Sequence, residues 1–228
     1  MLGLSIPLYN EGALVVSVID AIQAALAPLP HRLALVNNGS QDDTAAKIDA
    51  LAQRPQILAV HLSDNAGYGG GILAGLQALS ALRPSPDLIG WCWGDDQIDP
   101  AVLPALVQRC RDGADLAKIQ RIERQDGRRR WLISATYATI MSALGTATPD
   151  INGCPKIFRA EALGALALTH TDWFLDCEAV CKAEAAGLHI DNVPAVMRAR
   201  TAGVSKVNWA TVAEFVDNIA RYRLSGWK

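Results

Sequence analysis

The chain has 228 residues, of which 50% are hydrophobic and 19% are charged, and its formal net charge at pH 7 is −2. This length and composition predict a globular protein with a sizeable buried core, and they exclude a disordered chain. The near-neutral charge offers no even basic coating, so nucleic acid is not an expected partner.

Strand-like and helix-like segments alternate through the first half of the sequence. The predicted strands are 2–9, 31–38, 56–63 and 87–93. The predicted helices are 11–26, 40–53, 69–82 and 100–113. Four strand–helix units in series predict a Rossmann-like, mostly parallel α/β sheet with helices on both faces.

Polar residues gather where these predicted strands end. They are Asn10 and Glu11 after the first strand, Asn37, Asn38 and Gly39 after the second, Asp64 and Asn65 after the third, and Asp95 to Asp99 after the fourth. Because ligands of open parallel sheets bind beyond the carboxyl ends of the strands, this distribution predicts a ligand site at that edge.

The fourth strand leads into the acidic turn WGDDQIDP, residues 93–100. Carboxylates crowded at a strand end repel one another unless a cation binds between them. Asp95 and Gln97 alternate on an extended segment, and hard oxygen donors of this kind suit Mg²⁺ or Mn²⁺. We therefore predict that Asp95 and Gln97 hold a divalent cation. Asp99 followed by Pro100 is typical of a helix N-cap instead.

The pattern changes after about residue 117. A basic stretch over 118–130 includes Arg121, placed at the end of a fifth strand, and an apolar stripe then predicts a helix over 131–144. Further predictions are a helix near 176–187, a strand near 189–197 and a helix near 207–223. Without repeats or a flexible linker, the sequence predicts one domain over 1–228, with functional halves 1–117 and 118–228.

Cysteine spacing and hydropathy bear on the compartment. The five cysteines have no CxxC spacing, which favours reduced, buried thiols in a cytoplasmic protein over disulfides or a zinc site. The sequence opens on a strand-like segment with no basic leader, and no run reaches transmembrane length and hydrophobicity. A cytoplasmic chain without a membrane span is the expectation.

Several motifs, in order, resemble those of the inverting family-2 glycosyltransferases, in particular the polyprenyl-phosphate glycosyltransferases of the dolichyl-phosphate mannose synthase type. SIPLYNEG (5–12) resembles their opening strand and loop, LVNNGSQDDT (35–44) their VDDGSxDxT motif, and DNAGYGGGILAGLQAL (64–79) their glycine-rich helix. WGDDQIDP resembles their DxDxQxxP metal turn. Similarity to their acceptor half lies in RWLIS (130–134), DINGCPKIFR (150–159), FLDCE (174–178) and RTAGVSK (200–206).

The resemblance implies a glycosyltransferase-A fold and metal-dependent, inverting transfer of a sugar from a nucleotide-diphosphate sugar to a polyprenyl phosphate. The donor-binding residues that it implies are Pro7, Tyr9, Glu11, Asn37, Asn38, Asn65, Gly69 and Asp95. The acceptor-phosphate residues that it implies are Arg121, Arg130, Ser134, Arg200 and Lys206. Mg²⁺ or Mn²⁺ on Asp95 and Gln97 would neutralise charge on the departing nucleotide.

The implied catalytic residues are Asp150, Arg130, Arg200 and Lys206. Arginine forks suit phosphate oxygens. A phosphomonoester oxygen is already anionic near neutral pH, so in-line attack on the anomeric carbon requires no strong general base. Asp150 is the carboxylate that would act as a base or a positioning group. A turn or N-cap role after Pro149 is the open alternative.

Two departures from the family pattern concern the donor. The first aspartate of DxD falls at Trp93, and the aspartates of VDDGS are Asn37 and Asn38. They predict altered nucleotide contacts and leave open a non-catalytic nucleotide-sugar-binding homologue. The segment 69–74 also satisfies the dinucleotide fingerprint GxGxxA, but it follows the third strand, which disfavours an oxidoreductase.

A polyprenyl acceptor implies contact with a membrane surface. Arg128 to Trp131 heading an uncharged helix, with Trp209 and Trp227 further on, suits an interfacial surface, and core packing of the same stripe is the equal alternative. The implied location is cytoplasmic and peripheral on the inner face of the membrane. A soluble acceptor is the alternative within the same fold.

Overall fold

The computed structural model describes residues 1–124 and 146–198. The strands in these ranges are β1 (Leu2–Leu8), β2 (His31–Asn38), β3 (Ile57–Leu62), β4 (Leu88–Trp91), β5 (Leu116–Arg124), β6 (Lys156–Arg159) and β7 (Ile190–Met197). They form one sheet in the order β3-β2-β1-β4-β6-β5-β7. Strand β6 runs antiparallel to β4 and β5, whereas the other pairs are parallel. The predicted mostly parallel sheet is therefore confirmed.

The helices alternate with the strands as the periodicity predicted over the first half. In the described residues they are α1 (Val15–Leu26), α2 (Thr44–Leu51), α3 (Gly67–Ser80), α4 (Leu103–Arg111), α5 (Ala160–Leu166) and α6 (Leu175–Ala185). A short 3₁₀ turn, Pro100–Val102, precedes α4. No helix in the described part of the chain is long and apolar enough to cross a membrane.

Side chains of the strands alternate between two apolar clusters, one on each face of the sheet. Leu4 and Ile6 of β1 are fully buried in the cluster that α1, α2 and α4 cover. Trp91 of β4 and Phe158 of β6 lie in the opposite cluster against α3, α5 and α6, with their ring centroids 5.5 Å apart. Helices therefore cover both faces, as predicted.

Strand β1 marks the point where the direction of sheet growth reverses. It lies between β2 and β4, so the connection after β3 crosses to the other side of β1. The segments that follow β1, β2 and β4 therefore meet at one edge of the sheet. In open α/β sheets such a switch point forms the crevice in which ligands bind.

The structure corrects the boundaries and part of the second half. Arg121 does not end the fifth strand, because β5 continues to Arg124 with an irregular register against β7. The fourth strand ends at Trp91, two residues before the predicted end. Strand β6 and helix α5 were not predicted, and the helices predicted over 131–144 and 207–223 lie outside the described residues.

Candidate functional site

The loops after β1 and β2 are linked by hydrogen bonds at the carboxyl edge of the sheet. The N–H of Asn10 donates to the hydroxyl of Ser40 at 3.1 Å, and the N–H of Gln41 donates to Oδ1 of Asn10 at 2.8 Å. These bonds fix the segment that carries Tyr9 and Glu11, both of which are half-buried. Two of the predicted donor-binding residues therefore lie beside the crevice.

The two asparagines at the end of β2 are buried, and their side chains bind neighbouring backbone. Oδ1 of Asn37 accepts the N–H of Ser40 at 3.0 Å. Oδ1 of Asn38 accepts the N–H of Ala66 at 3.0 Å, and its Nδ2 donates to the carbonyl oxygen of Gly67 at 2.9 Å. An aspartate could accept the first of these two bonds but could not donate the second. Asn38 thus ties β2 to the start of α3 in a way that requires an amide.

The glycine-rich start of α3 packs against the backbone of residues 170–172. A Cβ atom on Gly69 would lie 2.4 Å from the carbonyl oxygen of His170, and one on Gly67 would lie 2.4 Å from that of Thr171. Gly67 also has φ +81° and donates its N–H to Oδ1 of Asn65 at 2.9 Å. Close backbone approach accounts for these glycines, so GxGxxA needs no dinucleotide to explain it.

Pro7, another predicted donor-binding residue, faces the same helix. A Cβ atom on Gly71 of α3 would lie 3.0 Å from Cβ of Pro7. One turn further, a Cβ atom on Gly75 would lie 2.1 Å from Oγ of Ser5, which donates to the carbonyl oxygen of Ile72 at 2.9 Å. Helix α3 therefore lies directly on β1, and Pro7 of that strand packs against Gly71 of the helix.

The acidic turn connects the end of β4 to the end of β7. Gln97 is buried, and its side-chain Nε2 donates to the backbone carbonyl oxygen of Arg198 at 3.2 Å. The backbone carbonyl oxygen of Gln97 accepts the N–H of Arg198 at 2.8 Å. The half-buried Asp95 accepts the N–H of Gln97 at 3.3 Å. Asp96 has φ +58°, an uncommon conformation for a residue with a side chain. The turn is therefore held in one defined conformation.

Asp99 has the capping role that the sequence predicted. Its Oδ1 accepts the N–H of Ala101 at 3.0 Å, and Pro100 occupies the first turn of the helix. Its Oδ2 also pairs with Nη2 of Arg198. Asp99 is thus a second link between the turn and the end of β7.

The donor set of this turn matches the coordination chemistry of Mg²⁺ and Mn²⁺. Within residues 1–124 and 146–198, no group of three or more His, Cys, Asp or Glu side chains could enclose a metal ion by itself. The half-buried Asp95 supplies a carboxylate, and the buried Gln97 supplies an amide oxygen two residues further on. Mg²⁺ is commonly bound by one or two carboxylates together with substrate phosphates and water, so these residues fit an ion shared with a phosphorylated ligand.

On the other side of β4, Arg121 of β5 forms a fork with Asp150. Nε of Arg121 lies 3.1 Å from Oδ1 and 2.9 Å from Oδ2, and its backbone N–H donates to Oδ2 at 2.7 Å. Burial acts to raise the pKa of Asp150, but the hydrogen bonds and charge of Arg121 outweigh it and hold that pKa below its ordinary value. A carboxylate paired in this way is better suited to positioning than to accepting a proton.

Lys118 binds the backbone of the segment that carries Asp150. It is fully buried, and its Nζ donates to the carbonyl oxygens of Pro149 at 2.7 Å and Asp150 at 2.9 Å. Burial, with the charge of the neighbouring Lys156, lowers the pKa of Lys118 to about 7. The position of Asp150, at φ +46°, is therefore determined by a buried amine as well as by Arg121.

A chain of hydrogen bonds starts at Trp93, the first residue of the acidic turn. Its indole N–H donates to the hydroxyl of Tyr68 at 2.8 Å, and that hydroxyl donates to Oδ2 of the buried Asp176 at 3.0 Å. Oδ1 of Asp176 accepts the indole N–H of Trp91 at 3.0 Å and Nζ of Lys156 at 2.6 Å. The guanidinium of Arg121 lies over the Trp93 ring, 5.8 Å from its centroid. We call the five hydrogen-bonded side chains the Asp176 network: they are Trp93, Tyr68, Asp176, Trp91 and Lys156.

The family model described as glycosyl transferase family 2 matches residues 4–166 of the chain. The chain belongs to glycosyl transferase family 2. It is 31% identical over 166 residues to undecaprenyl-phosphate 4-deoxy-4-formamido-L-arabinose transferase of Pseudomonas aeruginosa strain LESB58, an alignment that covers 71% of this chain and 48% of the relative. The same-named protein of Yersinia enterocolitica is 31% identical over 170 residues, with 72% and 50% covered. The chain thus spans about half the length of these family-2 relatives.

Solved structures establish the fold of this family-2 chain as the glycosyltransferase-A type. Glucosyl-3-phosphoglycerate synthase from Mycobacterium tuberculosis, in complex with phosphoglyceric acid, superposes with a TM-score of 0.70 at 21% identity over 99% of this chain and 80% of that one. The same enzyme with Mn²⁺, uridine diphosphate and phosphoglyceric acid gives 0.68 over 99% and 78%. The family and fold predictions are both confirmed.

The structure brings together part of the predicted family-2 site. The donor-side segments and the Arg121–Asp150 pair flank the end of β4, with the acidic turn between them. The predicted residues Arg130, Ser134, Arg200 and Lys206 lie outside the described part of the chain. Glu178 of the FLDCE motif is fully buried and accepts the N–H groups of Thr169 and His170 at 3.1 and 3.0 Å, so it fixes a loop.

Sequence reasoning did not identify Tyr68, Trp91 or Lys156 as members of the Asp176 network. Their partners are far away in sequence: Tyr68 lies in the glycine-rich motif, Trp91 in the predicted fourth strand and Lys156 in the motif DINGCPKIFR. The available signal was compositional. Two tryptophans flank the end of β4, and a lysine occupies the start of β6, where the side chain has to be buried.

Proposed function

We propose that this chain is a divalent-metal-dependent, inverting glycosyltransferase that moves a sugar from a nucleotide-diphosphate sugar to a polyprenyl phosphate. The observation that carries the proposal is the position of the acidic turn. In a family-2 chain, Asp95 stands at the switch point of the sheet, between the loops after β1 and β2 and the Arg121–Asp150 pair. A donor diphosphate at the turn and an acceptor phosphate at the pair would meet beside β4.

The donor half of the proposal rests on the loops at the carboxyl edge. The residues proposed to contact the nucleotide sugar are Pro7, Tyr9, Glu11, Asn37, Asn38, Asn65, Gly69 and Asp95. Asp95 and Gln97 are proposed to hold Mg²⁺ or Mn²⁺, which when bound neutralises charge on the departing nucleotide diphosphate. The solved relatives bound to Mn²⁺ or Mg²⁺ with uridine diphosphate support this assignment.

The acceptor half rests on four cationic side chains and one hydroxyl. Arg121, Arg130, Ser134, Arg200 and Lys206 are proposed to bind the acceptor phosphate, and Asp150 to hold Arg121 in orientation. Guanidinium forks match the geometry of phosphate oxygens. Because a phosphomonoester oxygen is anionic near neutral pH, attack on the anomeric carbon proceeds without a general base. The sugar–diphosphate bond breaks on the opposite side, so the configuration inverts.

A polyprenyl acceptor places the reaction at a membrane surface. Curated relatives at 31% identity are named undecaprenyl-phosphate transferases, which supports a lipid phosphate as the acceptor. We propose that the chain works at the cytoplasmic face of the membrane, to which the lipid tail confines its substrate.

A soluble phosphorylated acceptor is the second candidate. The observation that favours it is the likeness, over 99% of this chain, to an enzyme crystallised with phosphoglyceric acid. Both candidates transfer the sugar of a nucleotide-diphosphate sugar to an oxygen of a phosphorylated acceptor. They differ in whether a lipid phase is needed for turnover.

A thermal-shift panel followed by a transfer assay tests the proposal. Nucleoside diphosphates and nucleotide sugars are added with and without Mn²⁺, and the best donor is then incubated with decaprenyl phosphate in detergent micelles or with phosphoglyceric acid. The matched variant is Asp95→Asn, which keeps the shape and an acceptor for the N–H of Gln97. We expect Mn²⁺-dependent binding and lipid-dependent turnover in the wild type, and neither in the variant. A chain that binds no nucleotide with metal contradicts the metal-dependent transferase, and turnover with phosphoglyceric acid alone selects the second candidate.

A further inference from the structure

We propose that Trp93 is a positioning residue that couples the acidic turn to the acceptor-side pair Arg121–Asp150. The inference rests on the proposed function and concerns the position at which the family pattern DxD has its first aspartate. Its consequence is that restoring an aspartate there impairs transfer. A tryptophan that had merely replaced a lost acid would predict the opposite.

Two contacts in different directions fix the Trp93 ring. Its indole N–H donates to the hydroxyl of Tyr68 at 2.8 Å, and Tyr68 is itself held by Asp176 at 3.0 Å. The face of the same ring lies under the guanidinium of Arg121, 5.8 Å from centroid to Cζ. Trp93 therefore connects the buried Asp176 network to Arg121. Within residues 1–124 and 146–198, Arg121 is the one arginine that the proposal places at the acceptor phosphate.

The ring also determines where the guanidinium can lie. The Arg121 side chain is 9% exposed and is bound on one edge by Asp150. With one edge bonded to Asp150 and its Cζ over the Trp93 ring, the fork has little freedom to turn. A guanidinium within about 6 Å of an aromatic centroid is attracted to the ring.

An aspartate at position 93 would disturb both contacts. Its side chain is too short to reach the hydroxyl of Tyr68, and it has no proton to donate there when ionised. The new carboxylate would add a second negative charge near the guanidinium that Asp150 already binds. Two carboxylates against one guanidinium leave a net negative charge, which repels an acceptor phosphate.

Three variants separate positioning from simple loss of stability. Trp93→Asp restores the family residue, and Trp93→Leu removes the ring without adding charge. Trp91→Phe is the matched control, because Trp91 also donates an indole N–H to the Asp176 network, whereas its ring is not the one under Arg121. The Michaelis constants for decaprenyl phosphate and for the active nucleotide sugar are measured for each variant, together with the midpoint of thermal unfolding.

We expect Trp93→Leu to raise KM for decaprenyl phosphate about fivefold, the effect of losing one cation–π contact, with the donor KM changed less than twofold. Trp93→Asp raises the acceptor KM further. Trp91→Phe lowers the unfolding midpoint and leaves the ratio of the two Michaelis constants unchanged. Transfer by Trp93→Asp at or above the wild-type rate overturns the inference, and so does an equal rise in both Michaelis constants.

A second readout is independent of turnover. The protein is labelled with 5-fluorotryptophan, and the Trp93 fluorine signal is identified as the one missing from Trp93→Leu. Addition of decaprenyl phosphate is expected to shift the Trp93 signal and to leave the Trp91 signal in place. If the wild type transfers no sugar, the proposed function fails, and this experiment still decides the inference: an unmoved Trp93 signal overturns it.

Discussion

The buried ion pair between Lys156 and Asp176 allows a quantitative test of the structure. Lys156 is fully buried on β6, and Nζ lies 2.6 Å from Oδ1 of Asp176, which is 5% exposed. The same carboxylate accepts bonds from Trp91 and Tyr68. Asp176→Asn keeps the shape and an acceptor oxygen but removes the charge, so the buried lysine is left with neutral acceptors, among them the carbonyl oxygen of Gly153 at 2.8 Å.

The expected loss follows from the burial of both groups. Removing one partner of a buried ion pair destabilises proteins by about 3–5 kcal/mol, because the other charge stays desolvated without compensation. Replacing both partners by neutral residues of similar size is far less damaging. We therefore expect Asp176→Asn to lower the free energy of unfolding by about 3 kcal/mol, and the double variant with Lys156→Met to be more stable than the sum of the single changes predicts.

Urea unfolding followed by far-ultraviolet circular dichroism measures these values, with the slope of the transition compared across the four proteins. A coupling free energy of about 2 kcal/mol between the two positions is expected for contacting charges. A loss below about 1 kcal/mol for Asp176→Asn, or additivity of the two changes within about 0.5 kcal/mol, would refute the buried pair.

Three further predictions concern the backbone approach, the β2 asparagines and the buried amine. Gly69→Ala should destabilise by about 1–3 kcal/mol, since its Cβ would meet backbone carbonyl oxygen at 2.4 Å, whereas the exposed helix variant Gly164→Ala, with open space around it, should stabilise by about 0.5–1 kcal/mol in the same urea experiment. Asn38→Asp should cost about 1–3 kcal/mol because a carboxylate cannot donate to the carbonyl at 2.9 Å, and Asn37→Asp should cost less; equal losses would contradict the bonding described. The lowered pKa of Lys118, about 7, means that the unfolded chain binds more protons between pH 7 and 10. Wild-type stability measured against Lys118→Met should therefore rise with pH in that window, approaching about 1.4 kcal/mol per pH unit, and a flat difference from pH 6 to 9 would show that the amine is not desolvated.

The first half of the fold was predictable because each strand–helix unit has its own periodicity and its own polar end. Strand β6, Lys156–Arg159, was not, because a lysine and an arginine enclose only two apolar residues and give no strand pattern. Its antiparallel insertion between β4 and β5 is decided by tertiary pairing. Lysine side chains are usually exposed, so a lysine at the start of β6 argues against a buried strand. The side chain of Lys156 is nevertheless fully buried and paired with Asp176.

The candidate site divides in the same way. Asp95 and Gln97 could be proposed from the sequence because residues that are neighbours in sequence form the turn. The Asp176 network was not, since the hydrogen bond from Trp93 to Tyr68 spans 25 positions and that from Tyr68 to Asp176 spans 108. Contacts of this kind leave no local pattern, and side-chain positions are needed to find them.

The departures from the family pattern are matched to their surroundings. At position 38 an amide donates to a carbonyl oxygen, and at position 93 an indole donates to Tyr68, so in both places the replacing side chain makes a bond that an aspartate could not make. Decay of a site would remove carboxylates without supplying acceptors for the new donors. The matched bonds therefore favour side chains that have gained new partners over decay of a site. Under the proposed function, fewer carboxylates repel an unneutralised diphosphate less, and we expect Asp95 to account for most of the dependence of nucleotide binding on Mn²⁺.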